Sequence, residues 1–506
     1  MPPNPNPPDP ARTDAHPART AALDWLLGRI NYERTTLPYL SRQLKLDRMR
    51  QLLTRLGQPD AGLKIIHVAG TKGKGSTSAM IAAMLTAAGY RTGFFSSPHL
   101  ERIEERFAVD GELCTADELV ALVSRVRAEV RAMDEEAAAD GGDSDGGPTY
   151  FEITTAIALL HFVERQADAA VLEVGLGGRL DSTNVCLPAV SVITSISFDH
   201  MRQLGNTLAA IAGEKAGIIK PGVPVVCGVT NEEPQTVIAN IAREHGCRLL
   251  QISRDFHFKY HPANKTKEGD TEKGRGGDFA SHSLSPCLLV SPSIDFQSTI
   301  AGQEIALENV ELAMRGPHQA ANAAIALATV AELRHQAWCI STDAMRAGLV
   351  QASLPGRVEI LSGTPAVVLD TAHNPASARA FVETLAEIPS TVRRSLIVSI
   401  SHDKDVPAVI RELVPHFPRI IVTQYQENPR AVPVQTLAEI VRTELSDHTT
   451  ELITCPTPQA AWQFAVESAT PGELFCITGS FFLAAEMRPL VLKTHAAETL
   501  IPVIRL

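Results

Sequence analysis

Short apolar runs alternate with amphipathic segments through most of the chain. Runs rich in β-branched residues occur at 64–69, 169–174, 190–196 and 223–226, and segments with helical spacing of apolar residues separate them. Strands of this composition are buried on both faces, which requires helices on each side of the sheet. The pattern therefore predicts an α/β fold whose first domain is built on a parallel sheet.

The pattern changes twice farther along the chain. Between about 248 and 314, apolar and polar residues alternate in short runs, which predicts a small antiparallel subregion. The segment 348–357 has the proline and glycine of a linker, and βα alternation then restarts in a second, smaller α/β domain. We predict a disordered proline-rich tail over residues 1–20, a first domain over 21–350 and a second domain over 351–506.

Composition narrows the class of protein. The 506 residues are 44% hydrophobic with a net charge of -11, which is ordinary for a globular protein and argues against a general nucleic-acid binder. None of the 8 cysteines belongs to a CxxC pair, so we expect reduced thiols in a cytoplasmic protein. The tail lacks the apolar core of a signal peptide, and no apolar run reaches the length of about 18 residues that a membrane helix needs.

A glycine-rich loop follows the first predicted strand, in the sequence HVAGTKGKGST. Gly73 and Gly75 let the backbone approach an anion, and Lys74 supplies a point charge. The hydroxyl of Ser76, where a helical pattern begins, can reach a metal ion. The spacing is GxxGKGS instead of the more common GxxxxGK[ST]. An ordinary strand–helix turn is the alternative, but the strand before and the helix after favour nucleotide phosphate binding in a P-loop NTPase-like domain.

Further candidates in the first domain lie where strands end, since ligands bind at the carboxyl ends of strands in open α/β sheets. Glu173 is either a Mg²⁺ ligand or a helix cap, and Ser97 is either a metal ligand or a turn hydroxyl. His200 is a poor ligand for a hard ion, so chemistry alone suggests a base or a core histidine. Lys215 fits a phosphate contact, a neutral amine or a carbamate, and the sequence alone favours a surface or ion-paired lysine.

The second domain offers a smaller set. Asp370 and His373 in LDTAHNP follow a predicted strand and precede a predicted helix. An acid at that position suits a ribose hydroxyl, and a helix N-cap explains it almost equally well. Arg357 in the linker is placed to reach phosphates across a cleft. Gly479 and Ser480 form a second tight strand–helix turn.

Ten motifs, in order from His67 to Glu486, resemble the folylpolyglutamate synthase/dihydrofolate synthase family, a branch of the Mur-type ATP-dependent amide ligases. They are HVAGTKGKGS, SSPHLERI, TYFE, EVGLGGRLDSTN, SISFDHMRQLGNTLAAIAGEKAGIIKPG, GPHQAANAAIA, LPGRVE, LDTAHNP, DKD and GSFFLAAE. The resemblance implies an ATP-binding domain followed by a Rossmann-like glutamate ligase domain. It implies ATP-dependent addition of L-glutamate to 7,8-dihydropteroate, to the γ-carboxylate of reduced folate polyglutamates, or to both, through an acyl phosphate. The GLGGRLDSTN stretch favours the bifunctional members.

The resemblance also implies roles for individual residues. ATP would be bound by Gly73, Lys74, Gly75, Ser76, Asn322, Arg357, Asp370 and His373. One Mg²⁺ would be bound by Ser97, Glu173 and His200, and a second would be held with the help of a carbamylated Lys215. The catalytic set would be Lys74, Glu173, His200 and Lys215. The pterin would lie against Thr149, Tyr150, Phe151, Glu152, Leu180, Asp181 and Ser182.

Two features depart from the family. Lys72 stands where asparagine is most often found, and the insertions near Asp140 and Lys267 are longer than expected. The alternatives are a cell-wall Mur ligase acting on UDP-linked muramyl peptides and a P-loop ATPase or binding protein without ligase activity. We expect a monomer whose partners are small molecules (ATP, L-glutamate, dihydropteroate or reduced folates), without nucleic acid or membrane.

Overall fold

The computed structural model describes residues 16–31, 46–139, 147–263, 291–300, 302–388, 392–445 and 449–499. The two insertions, near Asp140 and Lys267, and most of the proline-rich tail lie largely outside these ranges. Within them, strands form three sheets, one large, one small and antiparallel, and one in the C-terminal part of the chain.

The glycine loop follows one of the central strands of the first sheet. Its strands are β1 (Lys64–Ala69), β2 (Thr92–Phe95), β3 (Phe107–Val109), β4 (Glu112–Leu113), β5 (Ala169–Glu173), β6 (Pro188–Ile193), β7 (Val225–Cys227) and β8 (Leu249–Gln251). Among the described residues their order is β4-β3-β2-β5-β1-β6-β7-β8. All neighbours are parallel except β3 and β4, which form an antiparallel edge.

Helices cover both faces of this sheet, as the apolar runs predict. Ile65 and Ile66 of β1 enter different apolar cores, because successive side chains of a strand point to opposite faces. The α-helices of this part are Pro17–Leu27, Leu46–Arg55, Lys74–Ala87, Ala116–Ala139, Tyr150–Glu164, Met201–Leu204, Leu208–Ala216, Glu232–Glu244, Pro317–His335 and Thr342–Gln351. Short 3₁₀ helices occupy Ile103–Arg106 and Ser182–Val185.

The predicted antiparallel subregion is confirmed from residue 256 onward, whereas β8 at the start of the predicted range pairs in parallel with β7 in the first sheet. Strands β9 (Phe256–His261), β10 (Ser293–Ile300) and β11 (Gln303–Glu311) pair in the order β11-β10-β9. Phe256 and Phe296 from this sheet share a core with the alanine-rich helix Pro317–His335 and with β1. The small sheet is therefore part of the first domain's core.

The C-terminal part is a second α/β unit, as predicted. Its strands are β12 (Glu359–Leu361), β13 (Ala366–Leu369), β14 (Arg394–Val398), β15 (Arg419–Val422), β16 (Glu451–Thr454) and β17 (Leu474–Thr478), in the order β12-β13-β17-β14-β15-β16. β12 is antiparallel to β13, and the other neighbours are parallel. Its helices are Pro375–Leu385, Val406–Leu413, Val434–Glu444, Pro458–Ser468 and Phe481–Thr499, with a 3₁₀ turn at Val414–His416.

Three local features differ from the sequence-based expectation. The strands β3, β4, β12 and β16 were not predicted, because two to four residues are too few to show a clear period. Part of the predicted linker is helical, since the helix Thr342–Gln351 includes residues 348–351. The first helix begins at Pro17, inside the predicted tail, where proline at the first turn loses no hydrogen bond and the His16 side chain accepts the N–H of Arg19.

In the described part of the chain, no helix combines the length and the apolarity needed to cross a membrane. The cysteines found there are free thiols, namely Cys114, Cys186, Cys227, Cys247, Cys339, Cys455 and Cys476.

Candidate active site

The glycine loop after β1 lies against two neighbouring elements. Gly70 has a φ of 151°, and a β-carbon built on it would lie 1.9 Å from Thr194 Oγ1. Gly73 has a φ of 83°, and its β-carbon would lie 2.2 Å from Asn322 Oδ1. Both positions therefore need glycine, because a side chain would collide and the backbone is left-handed. Asn322, which the resemblance implies as a nucleotide contact, borders the loop.

The loop leads directly into the N-terminus of a helix. Gly73 is the N-cap of the helix Lys74–Ala87, and no side chain of the described residues caps it. The first N–H groups of a helix have no partner within the helix, and they carry the positive end of its dipole. Lys74 opens the helix, and Ser76 is buried in its first turn. This combination of a lysine and unpaired N–H groups suits a phosphate.

Glu173 ends β5 beside this helix. A β-carbon on Gly75 would lie 3.3 Å from Glu173 Oε2, and the N–H of Ser97 donates to the same oxygen at 3.2 Å. Burial raises the pKa of Glu173, while the charges of Lys74 and Arg357 act to lower it. A buried carboxylate next to a serine and facing cations provides the hard oxygen donors that Mg²⁺ prefers.

The segment after β6 carries His200. Lys72 Nζ lies 2.9 Å from Asp199 Oδ2, and Asp199 Oδ1 accepts the N–H of His200. His200 has a φ of 49°, a left-handed backbone that is uncommon outside glycine. Desolvation lowers the pKa of His200, and Lys74 and Lys215 lower it further against the opposing charge of Asp199. The neutral imidazole is the form that binds metal ions, so these charges are compatible with the predicted role.

Lys215 is buried and lies under the glycine loop. Its Nζ donates to the carbonyl of Gly70 at 2.8 Å. Burial lowers the pKa of Lys215 from 10.5 to about 7, and the charge of Lys74 contributes. The expectation of a surface lysine is therefore wrong, since the sequence could not show that the helix Leu208–Ala216 directs this side chain into the site.

The second domain contributes the other predicted nucleotide contacts. Arg357 Nη1 donates to Thr371 Oγ1 at 2.5 Å. Asp370 Oδ2 accepts the N–H of Val358 at 3.0 Å, and its Oδ1 accepts the N–H of Ala372 at 2.7 Å. The Asp370 carboxylate thus organises its own turn, and the ribose contact stays a prediction.

His373 links the second domain electrostatically to the first. The pKa of His373 is lowered to about 4, mainly by burial, with contributions from the charges of Lys72 and Lys404. Lys404, from the DKD motif after β14, also lowers the pKa of His200, after desolvation and the charge of Lys74. The sequence alone assigns no role to the DKD motif. The fold, however, brings its lysine near the glycine loop.

In the first predicted pterin stretch, residues 149–152, the polar side chains mainly stabilise the start of a helix. Thr149 is the N-cap of the helix that begins at Tyr150, and Glu152 Oε2 accepts the Thr149 N–H at 2.8 Å, which completes a capping box. Glu152 also pairs with Arg48 at 2.8 Å. Tyr150 is buried, and Phe151 is partly exposed. Thr149 and Glu152 therefore build the helix start, which leaves Phe151 better placed to meet a ligand.

The second predicted pterin stretch behaves similarly. Asp181 Oδ1 accepts the N–H of Thr183 at 3.0 Å, and Ser182 Oγ lies 2.7 Å from Thr155 Oγ1. Leu180 is partly exposed. The pterin-binding role of both stretches stays a prediction.

Comparison with known families defines the class of protein. The sequence model of the Mur ligase middle domain matches residues 68–330. The model described as "Mur ligase, glutamate ligase domain" matches residues 356–481. The protein is thus an ATP-dependent ligase of the Mur class.

Individual relatives give a narrower assignment. A dihydrofolate synthase/folylpolyglutamate synthase of Bacillus subtilis is 33% identical over 92% of this chain and 97% of its own length. The solved Mycobacterium tuberculosis folylpolyglutamate synthase complexed with ADP matches with a TM-score of 0.77 and 30% identity, over 94% of this chain and 98% of the other. Escherichia coli FolC in complex with DHPP and ADP matches with a TM-score of 0.73 and 28% identity, over 94% and 98% of the two chains. The chain belongs to the folylpolyglutamate synthase/dihydrofolate synthase family.

Proposed function

We propose that the protein joins L-glutamate to 7,8-dihydropteroate and to the γ-carboxylate of reduced folate polyglutamates, with ATP as the energy source. The observation that carries this proposal is the uncapped helix N-terminus at Gly73, which lies beside the buried carboxylate of Glu173. The names of relatives support both activities, since the Bacillus subtilis protein is named for both. A solved relative in complex with DHPP and ADP supports the binding of a nucleotide and a second small molecule by one protein.

The glycine loop holds the ATP phosphates. The N–H groups that follow Gly73 donate to phosphate oxygens, and Lys74 neutralises their charge. Gly75 and Ser76 complete the turn of helix that faces the phosphates. Asn322 borders the loop, next to Gly73. From the second domain, Arg357, Asp370 and His373 close over the nucleotide.

The reaction needs positioning and charge neutralisation but no covalent enzyme intermediate. A carboxylate oxygen of the pteroate or folate attacks the γ-phosphorus, the bond to the β-phosphate oxygen breaks, and ADP leaves. The glutamate amine then attacks the acyl carbon, loses a proton and expels phosphate. Lys74, Lys72 and Arg357 stabilise the negative charge that accumulates on the phosphoryl group during both steps.

The residues present fit a divalent cation. Glu173 is a buried carboxylate whose contacts include the N–H of Ser97, and the Ser97 hydroxyl lies on the same segment. Together with the His200 imidazole they would hold Mg²⁺, which when bound neutralises phosphate charge and orients the γ-phosphoryl group.

Lys215 fits a modified form of the same site. Its amine is buried under the loop, and because burial lowers its pKa to about 7, much of it is neutral at physiological pH. A neutral amine reacts with CO₂ to give a carbamate, whose anion would help to hold a second Mg²⁺. Loading the purified protein with ¹³CO₂ should give a carbamate carbon signal that Lys215→Met removes.

The two domains, proposed to be joined at about residue 350, close on ATP and protect the acyl phosphate from water. Small-angle scattering should show compaction when nucleotide and pteroate are both present. An unchanged radius of gyration would contradict closure.

The decisive experiment measures ADP release with Mg-ATP and L-glutamate, adding 7,8-dihydropteroate or tetrahydrofolate in separate reactions, with products identified by mass. Turnover with both acceptors establishes both activities, and turnover with one assigns a single activity. Activity confined to a UDP-linked muramyl acceptor would identify a cell-wall ligase. ATP hydrolysis independent of glutamate, with no amide product, would identify an ATPase.

A further inference from the structure

A second cluster of metal-binding side chains lies on other elements of the first domain. Cys114 follows the edge strand β4, Glu118 lies in the first turn of the helix Ala116–Ala139, and His161 lies near the end of the helix Tyr150–Glu164. One donor atom from each of the three lies within 4.8 Å of the other two. None of the three belongs to the residues that surround the glycine loop.

The histidine is the unusual member of this cluster. His161 is 1% exposed, and its Nε2 is buried without a hydrogen-bond partner among the described residues. A buried polar atom that loses its bonds to water without replacing them costs about 1–3 kcal/mol. A cation bound through Nε2 would satisfy this nitrogen.

The carboxylate of Glu118 is held in place by hydrogen bonds from Arg165 and Thr115. Arg165 Nε donates to Glu118 Oε1 at 2.6 Å, and the N–H and hydroxyl of Thr115 both donate to Glu118 Oε2 at 2.8 Å. The Arg165 hydrogen bond also lowers the pKa of Glu118 to about 2. Outer contacts of this kind orient the ligands of metal sites.

The thiol is buried but borders an opening to solvent. Cys114 and Thr115 line a surface cavity of about 350 Å³, together with Arg19 and Glu104. Cys114 Sγ donates to the carbonyl of Thr115 at 3.5 Å. The cavity gives an ion a path to the sulfur.

We propose that Cys114, Glu118 and His161 bind one transition-metal ion of the Zn²⁺ type, with a water from the cavity as the fourth ligand. Sulfur, imidazole nitrogen and carboxylate oxygen are the donors that Zn²⁺ accepts in a tetrahedral arrangement, whereas Mg²⁺ requires oxygen. Binding breaks the S–H bond of Cys114, forms the sulfur–metal bond and releases the proton to water. The ion ties the β4 edge and the helix Ala116–Ala139 to the helix Tyr150–Glu164.

The test uses Co²⁺ as a spectroscopic substitute and Zn²⁺ as the competing ion on the full-length protein, with saturating Mg-ADP to occupy the nucleotide site. Thiolate bound to Co²⁺ gives a sulfur-to-metal charge-transfer band, which a cation bound to Ser97, Glu173 and His200 cannot give. We expect one equivalent of Co²⁺ to produce the band and one equivalent of Zn²⁺ to abolish it.

Variants identify the ligands. Cys114→Ser should remove the band and weaken Zn²⁺ binding about 100-fold or more in competition with a chelating dye. His161→Gln should weaken Zn²⁺ binding similarly while retaining the thiol. The matched control is Cys339→Ser, which removes the exposed thiol and should change neither result.

The readouts are independent of ligase activity, so they separate this proposal from the proposed function. The absence of a charge-transfer band in the wild-type protein would overturn the proposal, whatever the variants do. A band that survives in Cys114→Ser and disappears in Cys339→Ser would also overturn it, since the thiolate ligand would then be the exposed one.

Discussion

The glycine loop and the predicted pterin stretches were recognised by the same kind of evidence, yet the structure uses their residues differently. Around the loop, no side chain of the described residues caps the helix N-terminus at Gly73, although Lys215 below it donates to the carbonyl of Gly70. In the stretches, Thr149, Glu152 and Asp181 are engaged by neighbouring backbone and side chains. A residue matched to a family motif can therefore either meet a ligand or fold the segment that does.

This difference predicts that substitutions in the two regions have opposite effects, one mainly on activity and the other mainly on stability. Substitutions at the loop should cost catalysis and little stability, because strained or charged groups there are held for the ligand. Substitutions within the capping boxes should cost stability and leave nucleotide binding intact.

Lys215→Met gives the largest expected effect. The substitution removes the buried amine below the loop, so we expect kcat to fall on the order of 10³-fold or more. Circular dichroism and thermal unfolding should show a folded protein with an unchanged or higher midpoint. Near-normal turnover would exclude Lys215 from the site, and a large loss of stability would mean that its bond to Gly70 is structural.

The same variant makes a prediction about pH. The pKa of Lys215 is lowered by burial from 10.5 to about 7, so the unfolded chain binds more protons than the folded one between these values. The lysine therefore destabilises the fold fully below about pH 7, and this penalty shrinks as the pH rises toward 10. Denaturant unfolding at about pH 7 and pH 9 should show the advantage of Lys215→Met decreasing at the higher pH. An advantage that grows with pH would contradict this assignment.

Glu173→Gln should have the next-largest effect on activity. An amide replaces the carboxylate without changing its shape, so we expect activation by Mg²⁺ to weaken about 100-fold while ADP measured without metal binds normally. Calorimetric titration of ADP with and without Mg²⁺ separates the contribution of the cation from the affinity for the nucleotide itself. Equal loss in both titrations would show that Glu173 shapes the loop instead of binding the cation.

Glu152→Gln tests the other side of the comparison. The substitution removes the charge that pairs with the buried Arg48, so we expect a loss of about 2 kcal/mol in the free energy of unfolding. The KM for ATP should be unchanged, and Glu467→Gln on an exposed helix face serves as the matched control. An intact stability with a raised KM for the pteroate would reassign Glu152 to the substrate.

Much of this arrangement follows from local sequence, and some of it does not. The strand before Gly70 and the helix after Gly73 were predictable because apolar runs and glycines act over a few residues. The burial of Lys215 depends on packing between segments that are far apart in the sequence, since its amine contacts Gly70. The sequence could not show that the helix N-terminus after the loop is uncapped, nor that Glu152 is engaged by its neighbours. Both segments are polar, and they differ only in the partners that the fold gives them.

Lys72→Asn gives the smallest expected effect and tests the charge of Lys72 within the loop. Lys72 pairs with Asp199 at 2.9 Å, with side chains 38% and 23% exposed, so screening by solvent limits the pair to about 1 kcal/mol. In the proposed site this lysine shares its charge with the ATP phosphates, and we expect the KM for ATP to rise about five-fold and its dependence on salt to flatten. Lys493→Asn, which removes an exposed lysine from the last helix, should leave both quantities unchanged. An unaltered salt dependence in Lys72→Asn would show that Lys72 serves Asp199 alone, which would place it with Glu152 among the residues that fold the site.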